Sequence, residues 1–270
     1  MKEYLYIDSN EDAQQSRFKV SKTPKIDYLI KEKKFSEALT EINQLLKTDD
    51  GYSNWNLKGI ILSNLSEFKE SIECFNKALD MNRSDDILLN KSNAYYSWAK
   101  ITFFPEGDYD NALILIDKAL MSLPDSEDSS EYYFLKAEIL EALEELVESH
   151  KCYLKAYGEF DKLKEFEAQS EYLNNTTDLL VNIVGSDFYN YLPKSGDILI
   201  LAKDEDNEHD PDAIAAVLDN KTVGYVANNP YTLIDEVKSA SDIKNSIADN
   251  QKAEILFVYL GEYVIAKLVN

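Results

Sequence analysis

The chain has 270 residues, 44% of them hydrophobic, with 50 acidic and 28 basic side chains for a net charge of −22. That is length and apolar content enough for two cored domains, with an acidity that repels phosphate backbones and anionic membrane surfaces at long range. No apolar run approaches the roughly 18–20 residues of a membrane span, the N-terminus lacks a signal-peptide core, and two cysteines cannot build a disulfide framework; the expected setting is the cytoplasm.

Residues 1–22 are polar and aperiodic and read as a leader. Helical periodicity begins near Lys25, and the first helix pair spans about 25–32 and 35–48. A second pair, about 53–65 and 67–81, carries Gly59, Ser71, Phe75 and Ala78. A shift of 78 residues from these positions lands on Ala137, Ser149, Tyr153 and Ala156, with Cys74 and Cys152 obeying the same shift. Between them Ser92, Ala112, Ile116 and Ala119 form a third copy, and Ala38, Ile42 and Leu45 a weaker first one. A period of about 33–34 residues marks a stacked helix–turn–helix repeat. The glycine lets the two helices of a pair approach, the serine faces it, the aromatic fills the space beside them, and the alanine leaves room for the next pair.

The third pair departs from the period. Ser92 to Ala112 is 20 residues where Gly59 to Ser71 is 12, an excess of eight that falls around AKITFFPEGD, residues 99–108. It reads as a longer first helix covering its neighbour, with a lip on a binding groove as the sharper reading. The second helix of this pair is expected at 110–122 and a fourth pair at about 130–143 and 146–158. The amphipathic stretch 161–179 is expected to cap and link, since terminal repeats need a polar-faced cover.

At about residue 180 the period changes from 3.6 to 2. Six short runs (LLVNIVG, DILILAK, AIAAVLD, TVGYV, KAEILFVYL, EYVIAKLV) read as strands. Hairpin turns are expected at Asp219-Asn220 and Gly261-Glu262, and one helix at about 230–239, after Asn228-Asn229-Pro230. The fold class is therefore α+β and multidomain: an all-α repeat solenoid followed by a small β-barrel-like domain with one helix.

Residues with catalytic spacing are absent from the sequence. There is no glycine-rich phosphate loop, GxSxG, HExxH or zinc-spaced Cys/His set, so no enzyme, cofactor or metal is expected. The loop Asp204–Asp212 holds six carboxylates in nine residues. It reads as a tight loop in which Asn207 and Asp210 cap backbone N–H groups, with a calcium site as the lesser alternative.

On Gly59, Ser71, Phe75, Ala78, Pro124, Ala137, Tyr153 and Ala156, residues 23–160 resemble the tetratricopeptide repeat family. That resemblance implies a concave wall lined by first-helix residues, which by register are Asn56, Ile60, Ser63, Asn64, Asn93, Tyr96, Ser97, Phe134, Glu138 and Glu141. It also implies a protein or peptide guest. Members that clamp a peptide carboxylate use Lys, Arg and Asn; this chain offers Asn56, Asn90 and Lys91 but has Asp27 in the first repeat and no arginine among them, which departs from the clamp.

Residues 180–270 resemble the HIRAN family, on GDILILAK (196–203), DNEHDPDAI (206–214) and VGYV (223–226). That resemblance implies binding of single-stranded nucleic-acid ends in a pocket that maps onto Phe188, Tyr189, Lys203, Asn207, His209 and Asp210. The region carries 15 acids and 7 bases, a net charge of −8, so nucleic acid is disfavoured by charge. The expected function is a non-enzymatic adaptor that binds a partner protein through the repeat groove, with the HIRAN-like module as a second recognition element. The alternative is a binder of single-strand ends whose repeats recruit processing factors.

Overall fold

The computed structural model describes residues 24–269. The leader expected at 1–22 lies outside the described residues. The chain divides after Ala156 into two compact units.

The first unit is a run of helix pairs. α1 (Pro24–Lys31) pairs with α2 (Phe35–Leu45), α3 (Tyr52–Asn64) with α4 (Phe68–Met81), α5 (Asp85–Phe103) with α6 (Tyr109–Ser122), and α7 (Ser130–Ala142) with α8 (Leu146–Ala156). The expected boundaries fall within a few residues of these. Small side chains set the contacts. An added Cβ at Gly59 would sit 2.7–2.9 Å from three atoms of the Phe75 ring, so the glycine is required for the ring to lie where it does. Ser71 Oγ donates to the Gly59 carbonyl at 2.7 Å, and Ser149 Oγ to the Ala137 carbonyl at 2.9 Å, repeating the bond one shift of 78 residues later. Ala38, Ala78, Ala112, Ala119 and Ala137 are fully buried. Cys74 and Cys152 are buried, and burial pushes both thiols up.

A second contact recurs with the repeats. The Lys77 ammonium lies 4.3 Å from the Trp55 ring centroid, Lys118 lies 6.0 Å from Tyr95, and Lys155 lies 5.2 Å from Tyr133. This cation–π contact fixes the register of the third pair. Tyr95 stands where Trp55 and Tyr133 stand, so Ala99, four residues on and fully buried with Ala112, takes the place of Gly59 and Ala137. The expected position of the insertion is thereby corrected. α5 is long, but its added turns are at its start, Asp85–Lys91, and not around 99–108. Ser92 lies two turns before Ala99 and donates to the Ala119 carbonyl at 2.8 Å. The spacing misplaced the excess because Ser92 and Ala99 are both small and both buried. The added turns pack: Ile87 is buried in one cluster with Phe75 and Ala78, and Asn90 Nδ2 donates to Asn56 Oδ1 at 3.1 Å.

The second unit opens with α9 (Phe160–Asn175), the stretch expected to cap the repeats. Its Phe166 stacks on Tyr259 at 4.9 Å, and Ser170 Oγ shares a 2.8 Å hydrogen bond with the Tyr259 hydroxyl. The strands are β1 (Leu180–Val184), β2 (Ile198–Lys203), β3 (Ile214–Leu218), β4 (Lys221–Val226), β5 (Gln251–Tyr259) and β6 (Tyr263–Val269). They form a closed antiparallel barrel in the order β1-β4-β3-β2-β5-β6. Its core holds Val181, Ile183, Leu199, Leu201, Ile214, Ile255 and Val264. β4 comes close to β1 at Gly224, where a Cβ would meet the Val184 carbonyl oxygen and Ile183 Cγ2 at 2.7 Å.

The β3–β4 turn falls at Asp219-Asn220 as expected, both with positive φ (51° and 61°), the backbone of a two-residue hairpin that matches strand twist. The β5–β6 loop is a residue longer than expected: Tyr259 pairs with Tyr263, leaving Leu260, Gly261 and Glu262 between.

The helix expected at 230–239 does not form. Asn229 caps a single 3₁₀ turn, Pro230–Thr232, and a second turn follows at Asp235-Glu236, closed by the Val237 N–H on the Ile234 carbonyl at 3.2 Å. The Lys238 N–H donates to the Leu180 carbonyl at 2.8 Å, and Lys238 forms a parallel bridge with Val181. Pairing with β1 while burying Val237 outcompetes helix propensity here. The helix appears later, as the one-turn α10 (Ala240–Ile243), opened by a Ser239/Asp242 capping box.

Candidate functional site

Two surfaces carry the residues that the sequence singles out. On the first unit, the expected first-helix residues Asn56, Ile60, Ser63, Asn93, Tyr96, Ser97 and Glu138 are half-buried, while Asn64, Phe134 and Glu141 are exposed. The corrected register puts Tyr96 at the Asn56 and Phe134 position and brings in Lys100 at the Ile60 and Glu138 position. Lys100 lies outside the expected set because Ser92, seven residues before Ala99, has the same small size and burial. The Tyr95–Lys118 pairing, repeated from Trp55–Lys77, was the signal that could have found it.

Tyr96 packs against Tyr132 at 5.0 Å between centroids, and the Tyr132 hydroxyl donates to Asn93 Oδ1 at 2.6 Å. Burial first, then Glu131, Tyr132 and Glu138, push the Tyr96 phenol up to about 12. Burial and then Glu141 push Glu138 above the usual carboxylate range, and Lys100 opposes them. Phe134 stands edge-on to Tyr153 at 5.6 Å, and the Tyr153 hydroxyl donates to Glu141 Oε2 at 2.9 Å. These contacts put Tyr96, Phe134, Glu138 and Glu141 within one patch of rings and carboxylates. Asn64 Nδ2 is turned back to the Ile60 carbonyl at 2.8 Å.

On the barrel, Phe188 and Tyr189 meet edge-on at 5.1 Å, and Tyr189 lies 6.3 Å from Tyr225. The Tyr225 hydroxyl donates to Asp204 Oδ2 at 3.0 Å, as Asn207 Nδ2 does at 3.1 Å. Burial, with Asp204 and Tyr189, pushes the Tyr225 phenol up to about 12. Phe188, Tyr189 and Asn207 are thus joined through Tyr225, of the VGYV run, and Asp204, of the carboxylate-rich loop, neither of which is in the pocket that the resemblance implies. Phe188 is 82% exposed.

The other expected residues do different work. Asn207 Oδ1 accepts from the His209 and Asp210 backbone N–H groups at 3.0 and 3.1 Å, and Asp210 Oδ1 accepts from the Asp212 N–H at 2.9 Å. Asn228 Nδ2 donates to both oxygens of Asp210, at 3.1 and 2.9 Å. The carboxylate-rich loop is therefore the tight, self-capped loop that its Asn and Asp residues suggested. Lys203 faces Asp249 at 3.9 Å, and His209 is exposed.

Among the described residues, no group of three or more His, Cys, Asp or Glu side chains is placed to hold a metal ion. No described helix is long and apolar enough to cross a membrane. No family model matches the chain, and no curated protein matches it. It is similar to a solved structure of the MamA RS-1 ArsTM double mutant, with 16% identity and a TM-score of 0.35 over 48% of this chain and 68% of that one.

Proposed function

We propose that the chain is a non-enzymatic, cytoplasmic adaptor whose tetratricopeptide-like repeats bind a partner protein or peptide through the first-helix face. The observation that carries this reading is the patch of Tyr96, Phe134, Glu138 and Glu141, where rings and carboxylates stand together on helices already fixed by small-residue packing. Rings in such a position supply binding area at low entropic cost, and the carboxylates select a guest of opposite charge. The guest is a segment with basic side chains beside an apolar one. A peptide array of fixed length and varied Lys/Arg content tests this. The wild-type chain binds the basic, aromatic-bearing members; Glu138→Lys/Glu141→Lys inverts the charge preference, and Tyr96→Ala weakens binding throughout. Equal retention of acidic and basic peptides, unchanged by the charge reversal, would sink the reading.

The barrel is read as a HIRAN-like second recognition module. One observation favours a nucleic-acid end as its ligand: Phe188 is exposed beside Tyr189, and exposed rings stack on bases. A fluorescent single-stranded oligonucleotide then binds at low salt, and binding is lost in Phe188→Ala. No binding at low salt leaves the protein-adaptor reading alone.

A further inference from the structure

The seven residues added to the start of α5 build a cleft on this strongly acidic chain, and three cations line it. Its walls come from three helices: Asn76, Leu79 and Asp80 of α4 with Arg83 just beyond, Leu88, Lys91 and Tyr95 of α5, and Lys118, Met121 and Ser122 of α6. It is an open cleft of about 540 Å³, a volume in the range of small-molecule sites. It shares no residue with the patch of Tyr96, Phe134, Glu138 and Glu141, and it takes in Lys91, one of the residues that the repeat resemblance offers to a carboxylate clamp.

Three cations, Arg83, Lys91 and Lys118, line this cleft against one carboxylate, Asp80. The chain has only two arginines, and one of them is here. Among the described residues neither Arg83 nor Lys91 has an ion-pair partner. Burial alone pushes the Lys91 ammonium down, and a desolvated cation without a counter-charge is unfavourable. Lys118 is held over the Tyr95 ring at 6.0 Å. Leu79 and Leu88 supply apolar wall beside that ring.

We propose that this cleft binds a small organic phosphate of nucleoside diphosphate size, its phosphoryl oxygens held by Arg83, Lys91 and Lys118 and its ring against Leu79, Leu88 and Tyr95. Three positive charges match a di- or trianionic phosphate better than a single carboxylate. The arginine fork and point-charge lysines are the groups that recognise phosphate oxygens. The added turns of α5 are essential to it, because they contribute Leu88 and Lys91.

Titration calorimetry on the full chain, at physiological ionic strength, with ADP, inorganic pyrophosphate and a phosphoserine peptide as probes, tests this. ADP is expected to bind, and more tightly than pyrophosphate. Arg83 and Lys118 are exposed, so Arg83→Gln/Lys118→Gln keeps the fold, as unchanged denaturant unfolding will show, while weakening ADP at least about tenfold. Lys91→Met acts in the same direction. The proposal is overturned if ADP gives no binding at millimolar concentration, or binds the double variant as it binds wild type. It is equally overturned if pyrophosphate matches ADP, or if only the phosphopeptide binds.

Discussion

The Ser71 hydroxyl donates to the carbonyl of Gly59, 2.7 Å away and on the other helix of its pair. Gly59 thus meets two groups of the facing helix, the Ser71 hydroxyl at its carbonyl and the Phe75 ring where a Cβ would stand. The fourth copy is instructive. There Ala137 replaces the glycine, and Tyr153, at the Phe75 position, is half-exposed with its hydroxyl turned to Glu141, whereas Phe75 is 1% exposed. A methyl group on the first helix and a buried ring on the second compete for one space.

Gly59→Ala therefore destabilises the first unit by about 1–3 kcal/mol through overpacking. Phe75→Leu frees the space, so the double variant loses less than the two single ones combined, with a coupling of about 1 kcal/mol. Guanidinium unfolding followed by tryptophan fluorescence reads this unit alone, because both tryptophans, Trp55 and Trp98, lie in it.

Glu138 gives a pH signature. Burial and Glu141 raise its folded-state value above the ordinary 4.5, so the folded chain favours the protonated form. The stability this adds is present at acid pH and is lost as pH rises through the raised value. Glu138→Gln is accordingly more stable than wild type at pH 7, and the advantage vanishes below about pH 4. Paired melts at the two pH values check it.

Tyr96 acts at the other end of the scale. Its phenol keeps its proton up to about 12 in the fold against an ordinary 10.0 when unfolded, so alkali favours the unfolded chain between those values. Tyr96→Phe removes that share of the alkaline loss, visible as a shallower fall in melting temperature from pH 9.5 to 11.

Gly224→Ala places a methyl group against the Val184 carbonyl oxygen, an atom of the backbone that cannot rotate aside. The expected loss is about 2–3 kcal/mol, felt where β4 meets β1. Amide exchange at Ile183 and Val226 accelerates, while exchange across β5–β6 changes less.

Asn207→Ala removes two acceptor bonds and one donor bond from the 204–212 loop. The His209 and Asp210 N–H groups lose their partner, at about 1–2 kcal/mol, and their amide protection falls before that of β2 or β3.

The helix pairs were legible in the sequence because small residues recur where backbones must touch, and the strands because short apolar, β-rich runs such as DILILAK stand between turn residues. Their contacts bear this out at Gly59, Ser71, Ala137 and Ser149. What failed had physical causes. Ser92 mimics the small residue of its neighbouring repeats, which displaces the expected insertion and leaves Lys100 out of the expected face. The segment after Pro230 follows a pairing with β1, between Lys238 and Val181 and so 57 residues apart in the chain, and local pattern does not encode it. Of the barrel residues, Asn207 and Asp210 were readable as loop caps from their type and spacing. The approach of Tyr225 to Tyr189 depends on how β4 closes against β1.

Because β1 is bonded to β4 on one flank, at Ile183 and Val184, and to β6 on the other, the six strands close into a barrel in which none is an edge strand. A guest cannot lengthen this sheet by lying alongside it, a route open to many peptide readers. Whatever the barrel recognises, it must do so with side chains at its rims, where single substitutions can retune preference without touching the wall.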